Sequence, residues 1–548
     1  MTIDLFHLSC DALQGAALVG WKGEEGLGRP FELELFFTVP RDTDVKAALG
    51  AAATLTATRG DEREPMRWHG VLARVRLLHI TAERGLYAAL LVPRLWLLRH
   101  GERSYVHTKK RLGDFVTRTL EDGGLTTADY RLDIDAGSYP EEELVIQYHE
   151  THLDFVGRWL EREGPYYYFE HAPDDGGDAV MVVVDRASQH QPLPGSGKVK
   201  VRPRTGTDVS AGESFAEVTG EYRARPASVL VCDYDYGAPD APVEGEAAVM
   251  DGGAGVERQY GYRVFDSGEA ARLAGVRAAS RAWQAFVLRA RGNAFHLRAG
   301  YVFELEDAQP GIAATRFLAV RVRHEGAVAG ATPEVRALVG LDATEPYRVE
   351  VEAIPADVQY RAPQVTPWPR LHGYENGTVD GPASSQYAQI DAEGRYLVRL
   401  KFDASSLPDG STSTYVRMMQ PHGGMLEGHH FPLRKGTEVM LGFLGGDVDR
   451  PFIAGVVPDA RHPSPVTRKN QTQNVIRTGG KNHLVWEDED KKQYINLYSP
   501  TSETTVQLGG PIEGTFGKKE AVKCTYFVTT RGNAGFEIGG SWWEDVTG

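Results

Sequence analysis

Val522-Lys-Cys-Thr-Tyr-Phe-Val-Thr-Thr530-Arg-Gly532-Asn-Ala-Gly-Phe-Glu-Ile538-Gly-Gly540-Ser-Trp-Trp-Glu-Asp-Val546-Thr-Gly548 closes a sequence of 548 residues and decides how the rest is read. Every eighth position here, Val522, Thr530, Ile538 and Val546, is aliphatic or β-branched, and two places after each stands a small residue, Cys524, Gly532, Gly540 and Gly548. A short fixed period belongs to solenoidal β architectures, in which one rung is too small to bury its own hydrophobic face. Branched residues suit inward-facing strand positions, and Gly532, Gly540 and Gly548 suit tight corners. The spacing therefore predicts Val522, Thr530, Ile538 and Val546 as the core of a stacked assembly. Val506 joins them on the same register, although Gly514 interrupts the series. Thr530 and Cys524 are imperfect members, and a β-meander with glycine turns is the competing reading.

Upstream, Leu484/Trp486, Ile495/Leu497 and Val506/Leu508 are alternating apolar pairs, as if rungs already stack before the octads. A proline joint at Pro463–Pro465 separates them from five short strand patterns at 371–378, 396–402, 415–419, 438–443 and 451–457. Five strands joined by Asp/Gly turns suit a small Greek-key barrel of the OB type. Pro355, Pro363, Pro367 and Pro369 precede it and predict an extended linker. The N-terminal part mixes strands (31–37, 70–79, 86–98, 166–171, 301–305, 317–322) with helical spacing at 104–120, 151–163 and 268–291. Thr151 with Asp154 makes an N-cap, and Gly164-Pro165 a stop. The fold class is mainly β with a few helices, α+β in its first part.

Composition sets the outer limits. The chain is too long for one core, and its apolar (41%) and charged (25%) fractions are ordinary for a soluble globular protein. A net charge of −15 argues against nucleic acid as a partner, since phosphate binding needs a basic face. Cys10, Cys232 and Cys524 lie far apart and form no CxxC pair, which excludes a disulfide framework or cysteine zinc site. The N-terminus lacks the basic and apolar regions of a secretory signal, and no apolar run reaches membrane-spanning length. Synthesis in the cytoplasm follows as the expectation, with any export by a route that reads something else.

Chemistry is sought and mostly not found. His149-Glu150-Thr151-His152 is one residue short of HExxH, so two histidines do not share a helix face at i, i+4. His422, His429 and His430 crowd a glycine-rich loop but lack a placed carboxylate. No G-x-S-x-G, Walker A or G-x-G-x-x-G pattern stands in a suitable setting. Acidic runs at 141–143 and 487–490 read as solvated faces. The reading names no catalytic residue, no metal ligand and no cofactor. Tyr166-Tyr-Tyr-Phe169 reads as core strand, and Trp542-Trp543 as assembly surface, chain contact or docking point without a ranking.

Several long stretches together resemble the VgrG family, the valine-glycine repeat spikes of type VI secretion, which is similar to a fused phage tail hub and spike. They are Leu144-Val-Ile-Gln-Tyr148-His-Glu-Thr-His-Leu153-Asp-Phe155, Leu160-Glu-Arg-Glu-Gly164-Pro-Tyr-Tyr-Tyr-Phe-Glu-His171, Ile354-Pro-Ala-Asp-Val-Gln-Tyr360-Arg-Ala-Pro363, Phe431-Pro-Leu-Arg-Lys-Gly436-Thr-Glu-Val439, Phe443-Leu-Gly-Gly-Asp447-Val-Asp-Arg-Pro451 and Asn482-His-Leu-Val-Trp-Glu487, besides the octads. The resemblance implies a hub with two tube-like β-barrels over 1–355, an OB barrel over 356–465, and the start of a triangular intertwined β-prism over 466–548. It implies a homotrimer without enzymatic activity, assembled in the cytoplasm and then injected. Implied partners are a hexameric Hcp-like tube protein at the hub base, baseplate components, and a PAAR-like tip protein with effectors at the spike end. The chain departs from the family in carrying only Gly479-Gly480 before the Asn482 stretch, and in repeats that stop after a few octads. Either the spike is short, or the sequence stops before the tip or a cargo domain. Only Pro463 to Lys481 separates barrel from spike, too little for the lysozyme domain inserted in some phage relatives. The hub-spike of a contractile phage tail or extracellular particle stays open as an equivalent.

Overall fold

Leu33, Leu35, Phe37 and Val39 alternate with Glu32, Glu34, Phe36 and Thr38 along Arg29–Pro40, and all four side chains are buried. That period of two, repeated strand after strand, makes the architecture a sheet protein. The computed structural model describes residues 4–60, 64–174, 177–202, 213–306, 312, 314–341, 345–382, 387–510, 526–545 and 547. Packing groups them into two compact units. The first takes the residues up to 372 with 402–406 and 443–450; the second takes 373–401, 407–442 and 451 onward.

Six antiparallel strands open the first unit: β1 (Asp4–Ser9), β2 (Ala17–Gly26), β3 (Arg29–Pro40), β4 (Ala52–Arg59), β5 (Met66–Ile80) and β6 (Arg84–Val92). Their spatial order is β1-β4-β5-β6-β3-β2, and β1 returns against β2, where Phe6 meets Trp21 edge-on at 5.9 Å between ring centroids. Strand β2 continues onto Arg316–Ala327, which belongs to a closed ring of six. Around that ring follow Val302–Glu306, Lys198–Val201, Ser214–Tyr222, Phe286–Gly292 and Tyr347–Pro355, the last pairing back onto Arg316–Ala327. Closure removes the exposed edges that make open sheets associate.

Apolar side chains of these sheets point inward, and the outward columns alternate in charge. Glu24 meets Arg321 at 2.6 Å and Arg323 at 2.9 Å, and Arg289 lies between Glu221 at 2.8 Å and Glu352 at 3.2 Å. Arg291 faces Glu350 across paired strands, and Arg76 reaches Glu34 across the intervening β6. Opposite charges on directly paired strands favour this register over one slipped by a residue.

Among the described residues four α-helices stand against the sheets: α1 (Leu112–Asp122), α2 (His152–Glu163), α3 (Ser267–Ala282) and α4 (Pro333–Val339). The Thr151 hydroxyl accepts from the Asp154 N–H at 3.1 Å to start α2, and Gly164 ends it with φ 101°, a left-handed turn suited to glycine. Helix α2 buries Phe155, Val156, Trp159 and Leu160. The following strand, Tyr166–His171, is buried on both sides: Tyr167 and Phe169 enter the main core, and Tyr166 and Tyr168 pack with Val182, Ile354 and Tyr360. The core reading of these aromatics holds.

Three local expectations need correction. The helix expected from 104 starts only at Leu112, because Glu102–Arg111 pairs along its length with Glu141–Thr151. The helix expected to run to Arg291 ends at Ala282; after a 3-10 turn, Phe286–Gly292 is a strand hydrogen-bonded on both sides. Two partner strands satisfy its backbone and override helix propensity, and at Gly292 a Cβ would lie 2.1 Å from the Ser214 carbonyl. The proline-rich 355–369 stretch is irregular, as expected, but it is packed rather than a free linker. Tyr360 and Ala362 are buried, Trp368 rests on Trp159 at 5.4 Å, and the Glu161 carboxylate accepts from Val365 N, Thr366 N and the Thr366 hydroxyl.

A buried ionic cluster completes the first unit. The Arg263 guanidinium lies over Trp159 and Trp368 and reaches Asp449 at 2.7 Å and Asp447 at 3.6 Å. Asp449 also accepts from Ile146 N, while Asp233 accepts from Arg263 N and pairs with Arg450 at 3.1 Å.

In the second unit, Val398–Leu400, Glu375–Val379, Glu438–Phe443 and Pro451–Val456 form a four-stranded sheet in that order. The expected strand at 415–419 contributes single bridges, Tyr396 to Val416 and Met418 to Ile453. Val379, Tyr396, Val398, Leu400, Val416, Val439, Leu441 and Ile453 are its buried residues.

Candidate functional site

Beyond the small barrel, Gln473–Arg477, His483–Glu487, Tyr494–Ser499, Thr504–Gly509 and Tyr526–Thr529 form an antiparallel meander of five strands in sequence order. The apolar pairs read from the sequence fall on one face. Register aligns Ile476, Leu484, Leu497, Val506 and Val528 in one column, and Asn474, Trp486, Ile495, Leu508 and Tyr526 in the next. Nine of these ten side chains are apolar or aromatic, yet none is buried. Leu497 is 55% exposed, Val528 48% and Leu508 45%.

The opposite face is the better covered one. It carries Val485 and Glu487, both buried, with Gln473, Tyr494, Asn496 and Gln507. Gln473 donates to the Tyr494 hydroxyl at 3.3 Å, Asn496 donates to Gln507 at 3.3 Å, and His483 stacks on Tyr498 at 4.7 Å. The Thr472 hydroxyl and the Glu489 N–H hold the Glu487 carboxyl below its ordinary range, and burial raises the Tyr494 hydroxyl. This sheet covers a mixed face, which also holds Val475 and Phe527, and displays its more apolar one.

The predicted core residues divide accordingly. Val506 sits mid-column, between Leu497 and Val528. Val522, Val546 and Gly548 lie outside the described residues. The Thr530 hydroxyl meets that of Thr504 at 3.0 Å and accepts from Gly532 N at 3.0 Å. Ile538 is 46% exposed, and the described residues after Thr529 carry no helix or strand. Gly532 and Gly540 are not among the left-handed glycines; a Cβ would meet Ser502 at 3.1 Å at the first and nothing within 4 Å at the second. The structure thus unites Val506 with Leu484, Leu497 and Val528. The eightfold period missed Val528, because it aims Val506 at Val522; the alternation of the upstream pairs was the better signal.

Side chains weighed for chemistry have structural partners. Glu150 is bound through both oxygens to Arg158, with burial raising its carboxyl, and His152 Nδ1 meets Gln147. His430 bridges the Tyr396 hydroxyl at 2.7 Å and Gln420 at 3.1 Å, while the His422 carbonyl accepts from His429 N. Among the described residues, no group of three or more His, Cys, Asp or Glu side chains is placed to hold a metal ion.

Several known proteins resemble this chain. The family described as phage tail baseplate hub (GPD) matches residues 24–330, and the type VI secretion system/phage-baseplate injector OB domain matches 388–457. The type VI secretion system spike protein VgrG1b of Pseudomonas aeruginosa is 28% identical over 463 residues, 83% of this chain and 60% of its own. VgrG1a of the same organism is 26% identical over 87% of this chain and 74% of its own. The actin cross-linking toxin VgrG1 of Vibrio cholerae is 25% identical, over 79% of this chain and 39% of its own. The chain spans about 60% of the length of the first curated relatives it matches. Among solved structures, an E. coli type VI secretion component described as similar to T4 bacteriophage tail proteins shares the fold at TM-score 0.59 and 20% identity, over 82% of this chain and all of that one. VgrG in a Francisella PdpA-VgrG complex shares it at TM-score 0.64 and 9% identity, over 96% of this chain and 88% of that one.

Proposed function

Because this chain belongs to the phage tail baseplate hub family, whose match covers more than half of it, we propose that it is the structural spike of a contractile injection machine of the VgrG type. Its parts are a hub of two tube-like barrels over 1–355, an injector OB barrel over 356–465, and the start of a three-chain β-prism over 466–548. Three copies assemble on the tail. The hub caps a hexameric Hcp-like tube within the baseplate, and the spike end carries a PAAR-like tip protein with effectors. The spike assembles in the cytoplasm and leaves by injection; no helix among the described residues is long and apolar enough to cross a membrane. Its work is mechanical, with no catalysis of its own.

The observation that carries this reading is the uncovered apolar face around Leu497 and Val506. A face of that kind in water favours association, at about 1.5–3 kcal/mol for each large aliphatic side chain fully buried. Three chains around one axis close the edges of their sheets and cover all three faces. A ladder shared between chains unfolds slowly, which suits a body forced through an envelope.

Light scattering on the purified chain tests this. A mass near three times 60.2 kDa supports the spike, and a monomer at micromolar concentration overturns it. Turnover of peptidoglycan or lipid by the pure chain would defeat the non-enzymatic part. A second reading keeps the assembly and adds an effector domain beyond Gly548. The toxin relative, of which this chain covers 39%, favours it. The hub-spike of a contractile phage tail uses the same parts.

A further inference from the structure

A hairpin finger in the second unit stands out from its surroundings. Gly423 and Gly428 bridge antiparallel, and His429 N donates to the His422 carbonyl at 3.0 Å. Between them, Gly424 N donates to the Glu427 carbonyl at 2.9 Å, closing a tight turn with Met425 and Leu426 at its tip. Those two side chains are 94% and 96% exposed, the highest values among the large apolar residues of the described chain. Solvation does not explain two adjacent apolar residues at a loop tip, where polar turn residues are the default. Nor is the finger loosely attached. His430 at its base is held between the Tyr396 hydroxyl and Gln420, and Leu433 N also donates to that hydroxyl.

We propose that the Met425-Leu426 tip is a chain-to-chain clasp, which packs onto the apolar face of the meander of the next copy of this protein. The inference rests on the trimer reading above. Three copies around a rotation axis meet through heterologous contacts, so each chain presents two different patches that fit one another. The face around Leu497 is one such patch. The finger tip is a second apolar patch in the same compact unit, and in a single chain both lie open to solvent. Their chemistry matches. The two central columns of the face carry no charged side chain. The one charge at the tip, Glu427, is turned back to accept from Leu426 N. Methionine adds a flexible, polarizable end that fits an uneven aliphatic surface.

Two variants of the full chain test this together. In Met425→Asp/Leu426→Asp, the concentration at which trimers half-dissociate rises at least tenfold, while the melting temperature of the dissociated chain is unchanged. In Leu426→Cys/Leu497→Cys, with Cys10, Cys232 and Cys524 replaced by serine, a short bismaleimide links chains into covalent dimers and trimers. Wild-type dissociation in the first variant, or only intrachain links in the second, overturns the clasp. So does loss of binding to phosphatidylglycerol vesicles in the Asp variant with its trimers intact. If the wild-type chain is itself a monomer, the trimer reading fails first. If wild type is trimeric and Leu497→Asp/Val506→Asp is not, a silent finger defeats the clasp alone.

Discussion

The hub sheets and the tail sheet are built from the same alternation of apolar and polar residues, yet they present opposite faces to water. In the hub, Leu35 and Phe37 are fully buried and the outward positions hold Glu24, Arg289, Arg321 and Glu352 in paired columns. In the tail, Leu497 and Val528 face outward while Glu487 and Val485 are covered. The first pattern completes itself within one chain. The second leaves its more apolar face open to water. Alternation alone therefore says that a strand has two faces, and not which of them meets water.

The comparison breaks most sharply at the tail. Leu497→Asp/Val506→Asp places two carboxylates per chain in the proposed interface, and it is expected to abolish assembly outright, with scattering mass falling to one chain. Hub melting is expected to stay within a degree or two of wild type, since neither residue belongs to the first unit. A joint loss of both would mean that the hub depends on the spike.

A smaller effect, confined to the first compact unit, is expected at Asp449→Ala. Removing that carboxylate leaves the buried Arg263 guanidinium short of its nearest partner, and breaking such a pair costs about 3–5 kcal/mol. Urea unfolding followed by tryptophan fluorescence reads it, and an unchanged midpoint would place the cluster outside that unit's cooperative core.

The smallest effect belongs to the outer lattice. Burial would raise the Glu24 carboxyl, but hydrogen bonds from Arg321 and Arg323 prevail and hold it below the ordinary 4.5. A lowered carboxyl adds stability that is present at neutral pH and is lost as pH falls below 4.5 through the folded-state value. Glu24→Gln is expected to cost under about 1 kcal/mol at pH 7, and the difference from wild type to vanish in acid. A constant difference from pH 7 to pH 3 would show that shape, not charge, matters there.

Much of this was legible in the residues. Thr151, Asp154 and Gly164 bounded α2 because capping and left-handed turns are local requirements, met within a few residues. The family resemblance holds over the hub and OB matches, since long ordered motifs carry it. The strand at Phe286–Gly292 was not legible, because its partners lie more than fifty residues away on each side in sequence. Nor was the finger, where Gly423, Gly424 and Gly428 read only as a loop.

The sequence by itself determined the mainly-β class, the helix caps, the small barrel and the presence of apolar rungs toward the end. Periodicity and turn chemistry are properties of neighbouring residues. Only the tertiary structure decided that the proline-rich stretch is packed, that six hub strands close into a ring, and that Val506 pairs with Leu497 and Val528. Those outcomes depend on which distant strand satisfies each backbone hydrogen bond and on which face finds a partner to exclude water, and neither is written in a local pattern.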